Sequence, residues 1–228
     1  MTTDADDLED LDGVDELDGV DELDDLADLA PAPPRLTRLG WTQIVGGVLG
    51  FVAAFALILD RIELLKNPDF VPSCSINPLL SCGTIMKTDQ AAVFGFPNPL
   101  LGIATFPVVI LFGVLIAART PLPRFAWRGL LIGSVLGFGF VHWLAFESLY
   151  VIGALCPYCM VAWVGMDLVF FATLAGAIRS RSLGVVGTGP VGRFAASAPG
   201  LLATVWVVLV VLLIVVRFSD RLEYLIPF

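Results

Sequence analysis

The stretch Ala154-Leu-Cys-Pro-Tyr-Cys-Met-Val-Ala-Trp-Val-Gly-Met-Asp-Leu-Val-Phe-Phe-Ala-Thr-Leu-Ala-Gly-Ala-Ile-Arg179 decides the fold class of this chain. Between Met160 and Ile178 only one ionisable side chain, Asp167, breaks the apolar run. At 1.5 Å per residue a helix from Cys156 to Arg179 covers about 35 Å, enough to cross the roughly 30 Å of hydrocarbon in a bilayer. Two cysteines therefore stand at one membrane border and an arginine at the other. Pro157 suits the first helical position, where its missing N–H would be unpaired anyway. The unpaired N–H groups and the dipole at that helix start favour a thiolate, and the two-residue spacing brings both sulfurs onto one turn. A disulfide there opens and closes without unfolding the helix.

Four more apolar stretches accompany it: Trp41–Leu59, Phe96–Ala118, Trp127–Tyr150 and Leu201–Val216. With 57% hydrophobic and 15% charged residues and a mean hydropathy of +0.86, the chain has too little polar surface for a soluble body of this length. Glycines inside the stretches, among them Gly46, Gly47, Gly50, Gly133, Gly137 and Gly139, are typical of membrane helices that approach closely. The net charge of -9 is a property of the tail, because fourteen of the twenty-two acidic residues lie between Asp4 and Asp28. The expected architecture is an all-α integral membrane protein. Residues 1–36 form a disordered acidic tail, 41–178 a four-helix bundle with an external loop over 60–95, and 200–218 a fifth transmembrane helix. With no basic segment ahead of a cleavable core, the first apolar stretch reads as a retained anchor.

Basic residues hold short loops on the cytoplasmic side. Arg35, Arg38, Arg119, Arg124, Arg128, Arg179, Arg181 and Arg193, eight of thirteen basic residues, fall on one face. The amino terminus is then expected in the cytoplasm and the carboxyl terminus outside, in a multi-pass protein of the cell membrane. Cys74 and Cys82, in the loop between the first two spans, and Cys156 and Cys159, at the start of the fourth, share a face whatever the absolute orientation. That outer face is also the oxidising one, where disulfides persist. Two cysteine pairs on one border make a relay. Two structural disulfides, a zinc site and buried inert thiols are the other readings, although the cysteine spacings match no common zinc finger.

In this order, Ser73-Cys-Ser-Ile-Asn-Pro-Leu-Leu-Ser-Cys-Gly83, Val93-Phe-Gly-Phe-Pro-Asn-Pro-Leu-Leu-Gly-Ile103 and Ala154-Leu-Cys-Pro-Tyr-Cys159 resemble the vitamin K epoxide reductase family, in its bacterial disulfide-forming branch without a fused thioredoxin domain. The resemblance covers roughly residues 41–178. It implies a four-helix bundle around a quinone of the menaquinone or ubiquinone type, with a separate DsbA-like or thioredoxin-like extracytoplasmic thiol protein as partner. Carried over by motif, all four cysteines are catalytic: Cys82 takes the mixed disulfide from the partner, Cys74 exchanges with Cys156, and Cys159 reduces the quinone. The same transfer places Asn98 near a quinone carbonyl and Trp163 where vertebrate relatives carry tyrosine, a departure that speaks against epoxide reduction. Thr88 stands where relatives often have a loop serine. Vitamin K epoxide or quinone reduction driven by other thiols, and a non-enzymatic protein with structural disulfides, are the alternative functions.

Three ionisable residues interrupt the spans. Glu147 is expected near the cysteines at the outer border, as a proton relay or simply solvated. His142 lies deeper and reads as a core histidine bonded across helices ahead of a relay, while Asp167, near the midplane, is too deep for disulfide exchange. The aromatic residues Trp143, Phe146, Tyr150, Tyr158 and Trp163 are candidates to line a quinone pocket. No metal site, phosphate-binding loop or nucleic-acid surface is expected, the basic residues being too dispersed for the last.

Overall fold

Each of the five apolar stretches forms a helix long and apolar enough to cross a membrane. The computed structural model describes residues 34–184 and 189–220, so the acidic tail expected over 1–36 lies outside the described residues except where the first helix begins. In chain order the elements are α1 (Pro34–Lys66), the short α2 (Cys82–Met86), α3 (Pro99–Ala117), α4 (Arg124–Phe146), α5 (Pro157–Arg179), α6 (Pro190–Ser197) and α7 (Pro199–Arg217). The chain is an all-α membrane protein, and the spanning helices are α1, α3, α4, α5 and α7.

Helix α1 outruns the apolar stretch that announced it. It continues through Lys66, so the first part of the segment expected as loop is helical. Arg61, Glu63 and Lys66 end the hydropathy signal there but are good helix formers. Lys66 pairs with Glu63 at 2.8 Å, one turn away.

Helix α5 is the centre of the bundle: it is the most buried of the five spans, followed by α1, while α7 is the most exposed. Helix α1 packs along both α3 and α5, while α4 and α7 pack on α5. The α1–α5 crossing is tight because it has no side chains at its closest point. A methyl group added to Gly46 would sit 2.6 Å from the Gly165 carbonyl oxygen, and one added to Gly165 would be as close to the Gly46 carbonyl. One polar bond crosses the same seam, from Gln43 Nε2 to Thr173 Oγ1 at 2.9 Å. Side chains such as Leu111 and Val114 on α3, Ile132 and Val135 on α4, and Leu209 and Val216 on α7 stay exposed in the isolated chain. They form the lipid-facing coat that a bilayer solvent calls for.

Helices α3 and α4 do not pack side by side, and the gap between them becomes the cavity described below. At the basic end, Arg128 donates to the Ser182 carbonyl at 2.8 Å and Arg179 Nε to the Ala196 carbonyl at 3.1 Å. At the opposite end α4 finishes in a π-helical turn, Glu147–Ile152, closed by Gly153 at φ 72°. That left-handed conformation favours glycine. It turns the chain back on itself into Ala154, Leu155 and Cys156.

On the flank of the bundle, the expected cross-helix role of His142 takes a definite form. Trp206 on α7 donates its indole N–H to His142 Nε2 at 2.7 Å. An indole can only donate, so Nε2 accepts and the ring proton sits on Nδ1, 2.8 Å from the Phe138 carbonyl oxygen. Both ring nitrogens are satisfied within the bundle. Buried Asp167 lies 3.6 Å from His142 Nε2. The fifth span is thereby latched to the bundle by a polar contact.

Candidate redox site

All four cysteines gather at the end of the bundle away from the arginine-rich loops, and the reason is a short piece of pairing. Leu80 and Leu155 form an isolated parallel bridge. Ser81 N–H donates to the Leu155 carbonyl at 2.9 Å, and Leu155 N–H donates to the Leu79 carbonyl at 2.8 Å. Cys82 comes two residues after one partner and Cys156 one residue after the other, so the bridge sets the two sulfurs face to face. Asn77 holds the loop strand in shape, its Oδ1 accepting from Leu79 N–H at 3.0 Å and Leu80 N–H at 2.7 Å. Ser81 then caps α2 by accepting from Thr84 N–H at 3.3 Å.

Cys74 and Cys82 form a disulfide. Cys156 and Cys159 are free thiols. Cys82 Sγ lies 3.0 Å from Cys156 Sγ, and the sulfurs of Cys74, Cys82 and Cys156 all fall within 4.8 Å of one another. In this arrangement of bonds the loop sulfur in contact with Cys156 is that of Cys82, whereas the motif-based expectation concerned exchange between Cys74 and Cys156. The Leu80–Leu155 bridge seats Cys82 against Cys156 and leaves Cys74 on the outer side, next to Asp60 and Ser73. Cys74 and Cys82 are 4% and 0% exposed, so neither sulfur of the loop disulfide meets solvent freely in this arrangement.

Cys156 is the N-cap of α5, and its sulfur accepts from Cys159 N–H at 3.3 Å. The hydrogen bond from the Cys159 thiol, reinforced by the N–H groups of the first turn, holds the Cys156 thiol below its ordinary value despite its burial. Cys156 is thus the more acidic member of its pair, and its sulfur faces a disulfide sulfur closer than ordinary van der Waals contact. Thiolate attack on a disulfide is the chemistry this geometry offers.

Beneath the sulfurs opens a cavity of about 1000 Å³, lined by Cys82, Cys156 and Cys159 at one end and by apolar residues of α1, α3, α4 and α5 below. Both Asn98 and Trp163 line it, as do Gln90, Glu147 and Arg61. The Asn98 amide is engaged with its own loop: Nδ2 donates to the Gln90 carbonyl at 2.7 Å, and Oδ1 accepts from Val93 N–H at 3.2 Å. Gln90 in turn donates to Glu147 Oε2 at 3.4 Å, tying the loop to the end of α4. Thr88 points elsewhere, its hydroxyl donating to the Ile85 carbonyl at 2.7 Å. Of the aromatic residues considered, Tyr158 meets Ser73 Oγ at 3.2 Å above the sulfurs. Tyr150 lies under the Arg217 guanidinium. Neither Trp143, Phe146 nor Tyr150 is among the cavity-lining residues. Sequence reasoning passed over Asp60, Ser73, Gln90 and Trp206; the first was legible as an ionisable residue at the end of an apolar helix.

A free dithiol at a helix start, a disulfide in contact with it and an apolar cavity below make up a membrane-embedded dithiol–disulfide centre of the kind an oxidoreductase carries. The vitamin K epoxide reductase family model matches residues 41–174, more than half of the chain, and the protein belongs to that family. No curated protein matches the chain. The matched region ends within α5, so α6 and α7 lie beyond it.

Proposed function

We propose that this protein oxidises the thiols of an extracytoplasmic DsbA-like or thioredoxin-like partner and passes the electrons to a membrane quinone, in support of disulfide formation. The observation that carries the reading is the 3.0 Å contact between Cys82, half of the loop disulfide, and Cys156, half of the free pair above the cavity. The arginine-rich loops lie at the other end of the bundle, which supports placing the sulfurs on the outer, oxidising side.

The contact supports the following order of transfer. A partner thiolate attacks Cys74, the outer sulfur, forming a partner–Cys74 disulfide and releasing Cys82 as thiolate. When Cys156 and Cys159 are joined, Cys82 attacks Cys156, the Cys82–Cys156 bond forms, and Cys159 is released. The second partner thiol then frees Cys74, taking the partner disulfide away. Cys74 next attacks Cys82, which restores the loop disulfide and leaves Cys156 and Cys159 reduced. That is the arrangement of bonds seen in the structure.

The cavity suits a quinone in size and character: about 1000 Å³, apolar along its length, with the polar side chains of Arg61, Gln90, Asn98 and Glu147 among the residues around it. A quinone bound there supplies the acceptor for two electrons and two protons. Cys156 and Cys159 give up those electrons and protons as they join. Asn98 Nδ2 retains a second hydrogen beyond the one given to Gln90, and Glu147 and Gln90 offer polar contact at the loop. Trp163, 5% exposed, walls the cavity one turn below Cys159.

Purified protein given a reduced DsbA-like substrate and either a ubiquinone or a menaquinone analogue tests the reading. Quinone-dependent oxidation of the substrate is expected, with Cys159→Ala abolishing turnover. Full turnover in that variant would overturn the mechanism, and epoxide reduction by a dithiol without oxidation of the protein partner would favour the epoxide reductase reading.

A further inference from the structure

The two sulfurs of the loop disulfide have different neighbours, and the difference matters in the oxidised state of the relay, when Cys156 and Cys159 are joined and neither carries charge. Asp60 Oδ2, at the outer end of α1, lies 3.8 Å from Cys74 Sγ. Its place is fixed from two sides: Ser73 Oγ donates to the same oxygen at 3.4 Å, and Tyr158 Oη from α5 sits 3.2 Å from Ser73 Oγ. Among the described residues no basic group comes within 4 Å of the carboxylate. Arg61, its neighbour on α1, is turned to the Met86 carbonyl. Lys66 is paired with Glu63, and Lys87 reaches the Pro68 carbonyl. Cys82 Sγ instead faces Cys156 at the start of a 23-residue helix; Asp60 also acts on Cys156, but only as the last of the influences on that thiol, whereas it touches Cys74 directly.

In thiol–disulfide exchange the attacked sulfur is central in the transition state, and negative charge collects on the attacking and leaving sulfurs. A carboxylate next to a sulfur opposes charge on it; the N-terminal end of a helix favours charge nearby. We propose that Asp60 is a positioning residue for disulfide opening: its charge makes Cys82 the leaving sulfur, so that an incoming thiolate ends bonded to Cys74. The step is RS⁻ plus Cys74–S–S–Cys82 giving RS–S–Cys74 and Cys82–S⁻, with no further reactant. The Cys82 thiolate is then released on the side of Cys156. The reverse opening, with Cys74 leaving, places a thiolate against Asp60 and is suppressed. Asp60 thus gives the relay its direction. The inference rests on the thiol-relay reading proposed above, but not on the identity of the electron acceptor.

The test uses the full chain carrying Cys156→Ala and Cys159→Ala, which leaves the loop disulfide alone, treated with 2-mercaptoethanol. After acid quenching, mass spectrometry of peptides locates the adduct. An excess of adduct on Cys74 of roughly fivefold or more is expected with Asp60, falling toward parity in Asp60→Asn and recovering in Asp60→Glu. As a second readout, with Cys82→Ala added so that only Cys74 remains, the pH profile of its alkylation should move to lower pH in Asp60→Asn. An unchanged adduct ratio, or an unmoved profile, overturns the proposal. Parity in a protein that turns over with quinone would remove this inference alone. A Cys74 excess in a protein without quinone turnover would remove the acceptor and leave the inference standing.

Discussion

Asn77 is predicted to control how often Cys82 meets Cys156. Its Oδ1 accepts two backbone hydrogen bonds, at 3.0 and 2.7 Å, from Leu79 and Leu80, the residues that pair with Leu155. Asn77→Ala removes the shared acceptor. At about 0.5–1.5 kcal/mol net for each bond, docking of the loop weakens by roughly 1–3 kcal/mol. With tenfold for each 1.4 kcal/mol, the effective concentration of Cys82 at Cys156 falls by about 5- to 150-fold. The assay isolates that pair. With Cys74→Ala and Cys159→Ala in place, only the Cys82–Cys156 disulfide can form, and its equilibrium against a glutathione redox buffer reports the effective concentration directly. Asn77→Asp, which keeps an acceptor oxygen, should restore most of the loss. An equilibrium unchanged within twofold in Asn77→Ala, in protein whose helical content is intact, would refute the idea that this turn and bridge place the sulfurs.

Other predictions follow from single contacts. Because the Cys159 thiol holds the Cys156 thiol down, the Cys156 thiolate persists below the pH range of an ordinary thiol and is lost as pH falls through the lowered value. Cys159→Ala should move the pH profile of Cys156 alkylation upward in the reduced protein, and a profile that stays or falls contradicts the assignment. Trp206→Phe deletes the N–H given to His142 at 2.7 Å; a loss of about 0.6–2 kcal/mol in a detergent-unfolding assay is expected, with α7 the first segment cut by protease. Gly46→Val places atoms where the Gly165 carbonyl now lies 2.6 Å from the position of a Cβ, and should cost about 1–3 kcal/mol or more by forcing α1 off α5.

The five spans and the shared border of the cysteine pairs were legible because both are local properties. Apolar runs such as Phe96–Ala118 and Trp127–Tyr150 announce a helix without reference to any other part of the chain. The continuation of α1 through Lys66 was hidden for the same reason, since Arg61 and Glu63 end a hydropathy run while costing a helix nothing. Which loop cysteine meets Cys156 was not legible. It depends on a single bridge between Leu80 and Leu155, seventy-five residues apart in sequence, with no periodicity to reveal it. The motif transfer spoke of exchange between Cys74 and Cys156 and was silent on the contact that Cys82 makes. Asn98 shows the same limit: its type and neighbours marked it, but its commitment to Gln90 and Val93 follows from how the loop folds over the cavity. His142 was read correctly as a cross-helix bond, yet nothing in its own neighbourhood named Trp206, sixty-four residues onward, as the donor.

The docking that brings Cys82 to Cys156 also hides the loop disulfide, and this sets two steps of the relay against each other. With Cys74 and Cys82 at 4% and 0% exposure, a partner protein reaches Cys74 more readily as the Leu80–Leu155 bridge loosens. Internal exchange requires the loop down. A docking free energy of several kcal/mol would make lifting rare, and one near zero would leave Cys82 seldom at Cys156; turnover is greatest between these limits. Asn77→Ala shifts the balance toward the lifted loop by the amount that weakens docking. It should therefore speed reduction of the loop disulfide by an external dithiol while slowing transfer from Cys82 to Cys156, two rates separable by stopped-flow mixing with and without Cys156→Ala. If both rates fall together, the loop is being disordered and not lifted, and the opposition between docking and access does not hold.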